Sequence, residues 1–351
     1  MIELWTNGAG MPKAFVARAQ RAEAAGFDGI TIVDSQNLNG DCYVALGLAA
    51  AATSRIKLGT GVTNPFTRHP AVTAGAIATV QAVSAGRAVL GIGRGDSALA
   101  HLGFAPASPG KLAGYLRALQ GYLGGEEVPF DESGDLDRLG LANQPRSSRI
   151  AWIRPGTYAK VPVDVTATGP RVIAIGATLG DMVSFAVGAD LDRVRWAIET
   201  ARAARVAAGL DPAALRLGAY VNVVVHDDPE AARRLGEAGT SLFARFSAMH
   251  GSAVGPGRAE DQRVLESIHH AYDMTVHSRS HTPQAARLTA DFAGRFGIFG
   301  PPAHCLERLR ALAALGIERF VIVGASRDAE PAELQRAEAR FAEEVMPALR
   351  A

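Results

Sequence analysis

The chain has 351 residues, 48% of them hydrophobic and 20% charged, with a formal net charge of +1. That balance describes a globular protein with a sizeable core and gives no reason to expect nucleic acid or a membrane surface as a partner. Two cysteines far apart, Cys42 and Cys305, argue against a disulfide framework or a cysteine metal centre. The opening Met1-Ile2-Glu3-Leu4 reads as a first strand rather than a leader. No run reaches the roughly 18 apolar residues that a membrane span requires, so the cytoplasm is the expected compartment.

In chain order, apolar patterning predicts strands at 2–5, 29–33, 56–62 and 87–92, alternating with helices at 12–25, 43–52, 71–83 and 111–123. Near-continuous apolar strands separated by helices imply parallel βαβ units with both sheet faces covered. Residues 126–149 break the rhythm with acidic residues, Gly134 and Pro145. The alternation resumes with strands at 161–166, 182–187 and 217–225 and helices at 170–179 and 191–208, the latter ended by Gly209. The stretch 229–300 is too long for one crossover and reads as a mostly helical insertion. An eighth strand follows at 320–323 and a closing helix at 331–349. Eight strands in order argue for one (β/α)₈ barrel domain over 1–351, with 126–149 and 229–300 inserted over its mouth. A doubly wound sheet is the alternative, since strand order is not written in the sequence.

Two strand ends stand out. Gly59-Thr60-Gly61-Val62-Thr63-Asn64-Pro65, followed by Arg68-His69-Pro70, places bare backbone at the end of a strand, where α/β folds bind ligands. Val89-Leu90-Gly91-Ile92-Gly93-Arg94-Gly95-Asp96 repeats the design and ends in a carboxylate. It is not a dinucleotide fingerprint, because Asp96 occupies the place of the third glycine. A third strand end, Ala167-Thr168-Gly169-Pro170, opens a helix whose N–H groups and dipole suit a phosphate, with Thr168 equally fit to cap it. The strand ends supply backbone and carboxylates but no Ser-His-Asp grouping, which suits a cofactor that brings its own reactive atom.

With Ala22-Glu23-Ala24-Ala25-Gly26-Phe27-Asp28, these segments resemble the bacterial-luciferase-like superfamily of flavin and deazaflavin oxidoreductases. The wording is nearest the coenzyme F420-dependent methylenetetrahydromethanopterin reductase branch. The resemblance implies a luciferase-like barrel, a homodimer with the helix at 71–83 in its interface, and hydride transfer between the deazaflavin C5 and a small organic substrate. It implies a cis peptide between Gly61 and Val62, and a cofactor contacted by Gly61, Val62, Thr63, Asn64 and Gly93. The phosphate would lie at Ala167, Thr168 and Gly169 with Gly188 and Ala189.

Asp96 matches an acid near the ring and is the candidate proton carrier, its pKa expected to rise by desolvation; capping of a helix at 97–102 is the other reading. Asp34 is the matching acid of the second strand. Ser35 stands where many relatives carry histidine, which argues against the chemistry of alcohol-oxidising relatives. Arg68 and His69 suit fixing a turn as well as catalysis. His277 and His281 would share a helix face, but no third ligand stands near enough to make a metal site. Tyr272 and Asp273 are placed in the substrate pocket. The alternatives are an FMN-dependent monooxygenase of the same fold and a non-catalytic flavin-binding subunit.

Overall fold

Eight parallel strands close on themselves in the computed structural model, which describes residues 2–130, 136, 138, 140–153 and 159–351. They are β1 (Glu3–Gly8), β2 (Gly29–Ile32), β3 (Lys57–Thr60), β4 (Ala88–Ile92), β5 (Val163–Ala167), β6 (Met182–Phe185), β7 (Arg216–Val225) and β8 (Arg319–Val323). Each pairs with its neighbour in sequence, β1 pairs with β8 and β6 pairs with β7, so no edge is left and the doubly wound alternative is excluded. A three-residue strand, Ile298–Gly300, adds itself in parallel to the outer half of β7. Helices surround the barrel, and the main core lies between them and the strands. Many start with proline in the first turn, as in Pro12–Ala24, Pro70–Val83, Pro109–Gly124 and Pro170–Leu179.

The inside of the barrel is filled. Trp5, 1% exposed, lies across it, and a Cβ added to Gly29 would come within 2.2 Å of the indole. The Arg319 guanidinium stacks on that indole at 4.8 Å and forms an ion pair with Asp164, each side chain 4% exposed. Ser184 donates to Asp164 Oδ2 at 2.9 Å, and Arg319 Nη2 reaches the Ser184 hydroxyl at 3.2 Å. Tyr220, Val321 and Val323 pack around this layer, with Val62 above it at the mouth.

Three expectations need correction. Residues 126–149 do not fold over the mouth where they are described. The helix Pro109–Gly124 starts at the mouth and runs down the outside, ending at Gly125 in the left-handed region (φ 74°), so the chain leaves at the opposite end. There Val128–Pro129 and Ser147–Ser148 form a two-stranded antiparallel ribbon, with Ser148 Oγ 3.0 Å from the Tyr122 hydroxyl. Gln81 bonds both the first residue of β4, Ala88, and Ala159, which places the return of this excursion at the strands' N-terminal ends. Gly134 lies outside the described residues.

The stretch 229–300 forms helices Pro229–Phe246, Ala259–His270 and Ala290–Phe296, the first of which lines the cavity with Leu242, Phe243 and Phe246, and the unforeseen helix Pro302–Ala314 completes the crossover to β8. The closing helix is interrupted by a π-helical turn at Phe341–Val345. Pro347 lacks an N–H and its ring displaces the carbonyl one turn back, so the ladder widens there.

Removing one partner of a buried ion pair strands the other charge. Arg319→Met is therefore expected to lower unfolding stability by about 3–5 kcal/mol, read from urea denaturation. An unchanged midpoint would mean that the interior solvates Asp164 by some other route.

Candidate active site

The mouth opens into a cavity of about 880 Å³. Its floor is made by the ends of β3, β4 and β5. The Gly61–Val62 peptide bond is cis. Gly61 is packed so closely that a Cβ would lie 2.4 Å from Thr31 Oγ1, and a Cβ on Gly93 would lie 3.2 Å from Val62 Cγ2. Val62 and Gly93 thus pack together on one wall of the cavity. Facing them, Leu242, Phe243 and Phe246 from helix Pro229–Phe246, with Met249 and Val254 beyond it, close the top. Phe243 is seated on Tyr220 of β7, ring centres 5.8 Å apart. Asn64 Oδ1 accepts from the N–H groups of Phe66 and Thr67, whereas its Nδ2, like Thr166 Oγ1, is buried without a hydrogen-bond partner among the described residues. Both side chains line the cavity.

Asp34 also lines the cavity, with its carboxylate already engaged. Thr63 Oγ1 and Arg68 Nη1 donate to Oδ2, each at 2.6 Å, and Gln36 Nε2 donates to Oδ1 at 2.6 Å. Arg68 also bonds Asp41 at 3.0 Å and stacks on Tyr43 at 4.8 Å. Burial opposes the Arg68 charge, but Asp34 beside it holds the guanidinium firmly protonated. Asp34 therefore acts on the site through the loop it fixes. His69 caps the following helix, its Nδ1 accepting from Ala71 N at 3.2 Å.

Asp96 does not cap the short helix Ser97–Ala100; its Oδ2 accepts from Arg245 Nη1 of the overlying helix. The expected lone carboxylate against an apolar ring is thus corrected to an ion pair, with side chains 11% and 12% exposed. Arg245 lies over the Tyr272 ring at 4.5 Å, and the Tyr272 hydroxyl is 2.9 Å from His277 Nδ1. Burial raises the Tyr272 pKa, Arg245 opposes the shift and Asp96 adds to it, so Tyr272 stays protonated. His277 lines the cavity, but Tyr272 acts from behind it, and Asp273 instead caps the 3-10 turn Met274–Val276. The helix expected to carry His277 and His281 is that single turn, and His281 points to solvent with its side chain 84% exposed.

On the β5 side, Thr168, Gly169, Pro170 and Arg171 line the cavity where helix Pro170–Leu179 begins. The first N–H groups of a helix have no partner within it, and Arg171 makes no hydrogen bond or ion pair among the described residues. Of the other residues expected to touch a cofactor, Thr63 is fully buried against Asp34 and Ala167 is 2% exposed within β5. Gly188 and Ala189 turn away from the cavity: a Cβ on Gly188 would meet the Phe296 ring at 2.6 Å, and Ala189 N bonds Phe296 O at 2.7 Å. A packed aromatic occupies the place where the phosphate was expected to find a second loop. Arg94, Arg171, Arg245, Arg327 and His277 were missed or underrated; only Arg171, next to a helix-opening proline, carried a legible signal.

A family model described as luciferase-like monooxygenase matches residues 3–319. The 5,10-methylenetetrahydromethanopterin reductase of Methanolobus tindarius is 29% identical over 307 residues, 86% of this chain and 87% of the relative. The F420-dependent glucose-6-phosphate dehydrogenase of Beutenbergia cavernae is 29% identical, covering 97% of this chain and 94% of its own. The solved structure of the coenzyme F420-dependent tetrahydromethanopterin reductase of Methanopyrus kandleri superposes with a TM-score of 0.74 at 21% identity, covering 99% of both chains.

Burial pushes the His277 imidazole down to about 4; Asp96 works against the shift, and Arg245, His101 and Arg327 reinforce it. The unfolded chain accepts this proton near pH 6.5 and the folded chain refuses it until about pH 4, so the stability linked to His277 is complete above 6.5 and lost as pH falls through that window. Urea unfolding at pH 7 and pH 4.5 should show a smaller acid-induced drop in His277→Gln than in the parent. Equal drops would assign the acid sensitivity to other groups.

Proposed function

Because the chain belongs to the luciferase-like monooxygenase family, we propose that it is a coenzyme F420-dependent oxidoreductase exchanging a hydride between the deazaflavin C5 and a small organic substrate. The observation that carries this reading is a cavity lined by Val62 and Gly93 at the strand ends and by Phe243 and Phe246 of the helix above, with Asn64 Nδ2 and Arg171 lacking partners among the described residues. Relatives named for the same coenzyme support it. The residues fit such a group: Val62 and Gly93 would back a planar ring, and a polar edge of it would give Asn64 Nδ2 a partner. Thr168, Gly169 and Arg171 would hold a phosphate.

When bound, F420 supplies a two-electron hydride carrier. The chain supplies orientation, a dry site and proton handling. Leu242, Phe243, Phe246 and Met249 exclude water from the cavity. Arg245 holds Asp96 through Oδ2, leaving Oδ1 without a hydrogen-bond partner among the described residues, and that oxygen takes or returns the proton that accompanies hydride exchange. Asp34 and Arg68 hold the loop that carries Asn64. The substrate is a small organic molecule and the reaction needs no metal. The protein works as a homodimer: Val44 and Leu48 on helix Cys42–Ala52 and Val72 and Val83 on helix Pro70–Val83 leave an apolar face exposed on two adjacent helices.

Three measurements test this. Fluorescence titration of the apoprotein should give tight F420 and weak FMN binding; the reverse preference would move the protein to FMN-dependent monooxygenases. Asp96→Asn should lower turnover by about 10²- to 10⁴-fold while F420 affinity holds; unaltered turnover would leave only a coenzyme-binding role for this mouth. The double variant Leu48→Glu and Val72→Glu should run as a monomer in light scattering, where an unchanged mass would place any interface elsewhere.

A further inference from the structure

The cavity arginines are not equivalent. Arg245 is paired with Asp96, and Arg94 donates to Ala107 O at 2.5 Å and contacts His250 at 3.3 Å. Arg327, which lines the cavity just beyond β8, makes no hydrogen bond or ion pair among the described residues. Both oxygens of its neighbour Asp328 accept from Ser280, at 2.8 Å from N and 3.0 Å from Oγ, and neither bonds the guanidinium. Burial and the like charge of Arg18 depress its pKa, with Asp328 working against the shift. The Ser280–Asp328 bonds and a 2.5 Å bond from His281 N to Glu237 pin one loop over the mouth. Within it Ser278 and His281 adopt left-handed φ of 59° and 55°, uncommon for residues with a Cβ. Ser278 and neutral His277 of this loop line the same cavity as Arg327, whose charge reaches the imidazole. In the strand circle the β8–β1 side lies opposite β5, where Arg171 sits.

We propose that Arg327, with Ser278 and His277, forms a second anion site across the cavity from the Arg171 end, and that it receives a carboxylate or phosphate group of the organic substrate. The assignment of the two ends rests on the deazaflavin reading, which gives Arg171 to the cofactor. A planar guanidinium beside a hydroxyl matches either anion in charge and geometry.

Calorimetric titration of the F420-loaded protein with inorganic phosphate and with succinate tests this, on the parent, Arg327→Met, Arg327→Lys and Arg171→Met. The loaded parent should bind one anion, and the stronger of the two probes names the substrate's group. Arg327→Met should weaken that binding about tenfold or more, Arg327→Lys should restore part of it, and both should keep the parent's F420 affinity and thermal melt. Equal anion affinity in Arg327→Met, no anion uptake by the loaded parent, or an F420 loss matching that of Arg171→Met would overturn the proposal, the last by giving Arg327 to the coenzyme's own acidic tail. If F420 does not bind at all, the deazaflavin reading fails separately. The apoprotein titration then decides: two phosphate sites removed one by each variant keep the second site, and a single site refutes it.

Discussion

Arg319 and Asp164 meet inside the barrel with 4% of either side chain exposed, and neither can turn to water if the other is lost. The pair is held by Ser184 and lies against Trp5, whose bulk is accommodated because β2 carries Gly29 at the point of contact. This charged layer on an aromatic plate sets the level of everything above it. Tyr220 and Val323 pack on it, Phe243 leans on Tyr220, and the roof of the cavity hangs from Phe243. Floor and roof are thus connected through the barrel interior.

Above that floor the mouth is organised by paired acids and unpaired bases. Both cavity carboxylates carry an arginine, Asp34 with Arg68 and Asp96 with Arg245, and each pair joins two separate parts of the chain. The first ties the end of β2 to the loop after β3. The second ties the end of β4 to the roof helix through one oxygen of Asp96. Arg171 and Arg327, by contrast, make no ion pair among the described residues.

Much of this was legible beforehand, because it depends on local pattern. Eight apolar strands at helical spacing, proline at the helix starts and glycine at the strand ends are statements about adjacent residues, and the observed β1 to β8 fall within a few residues of the expected segments. The luciferase-like motifs likewise located Gly61, Val62, Asn64, Gly93, Asp96, Thr168 and Gly169, all of which line the cavity. The stretch 126–149 was misplaced because a loop's composition does not say from which end of a barrel it departs. Gly188 was misassigned because its need for glycine comes from Phe296, more than a hundred residues away.

What the sequence by itself determined is therefore the order of elements, the closed-barrel class and the strand ends that form a mouth, since each follows from periodicity and from residues that tolerate only certain backbone shapes. Tertiary structure alone decided which charges meet. Arg245 stands 149 positions from Asp96, and Arg319 stands 155 from Asp164. Arg327 makes no ion pair among the described residues, while Asp328 beside it accepts from Ser280, 48 positions away. Coulombic pairing acts through distance in space, and distance in space is what a linear sequence does not contain.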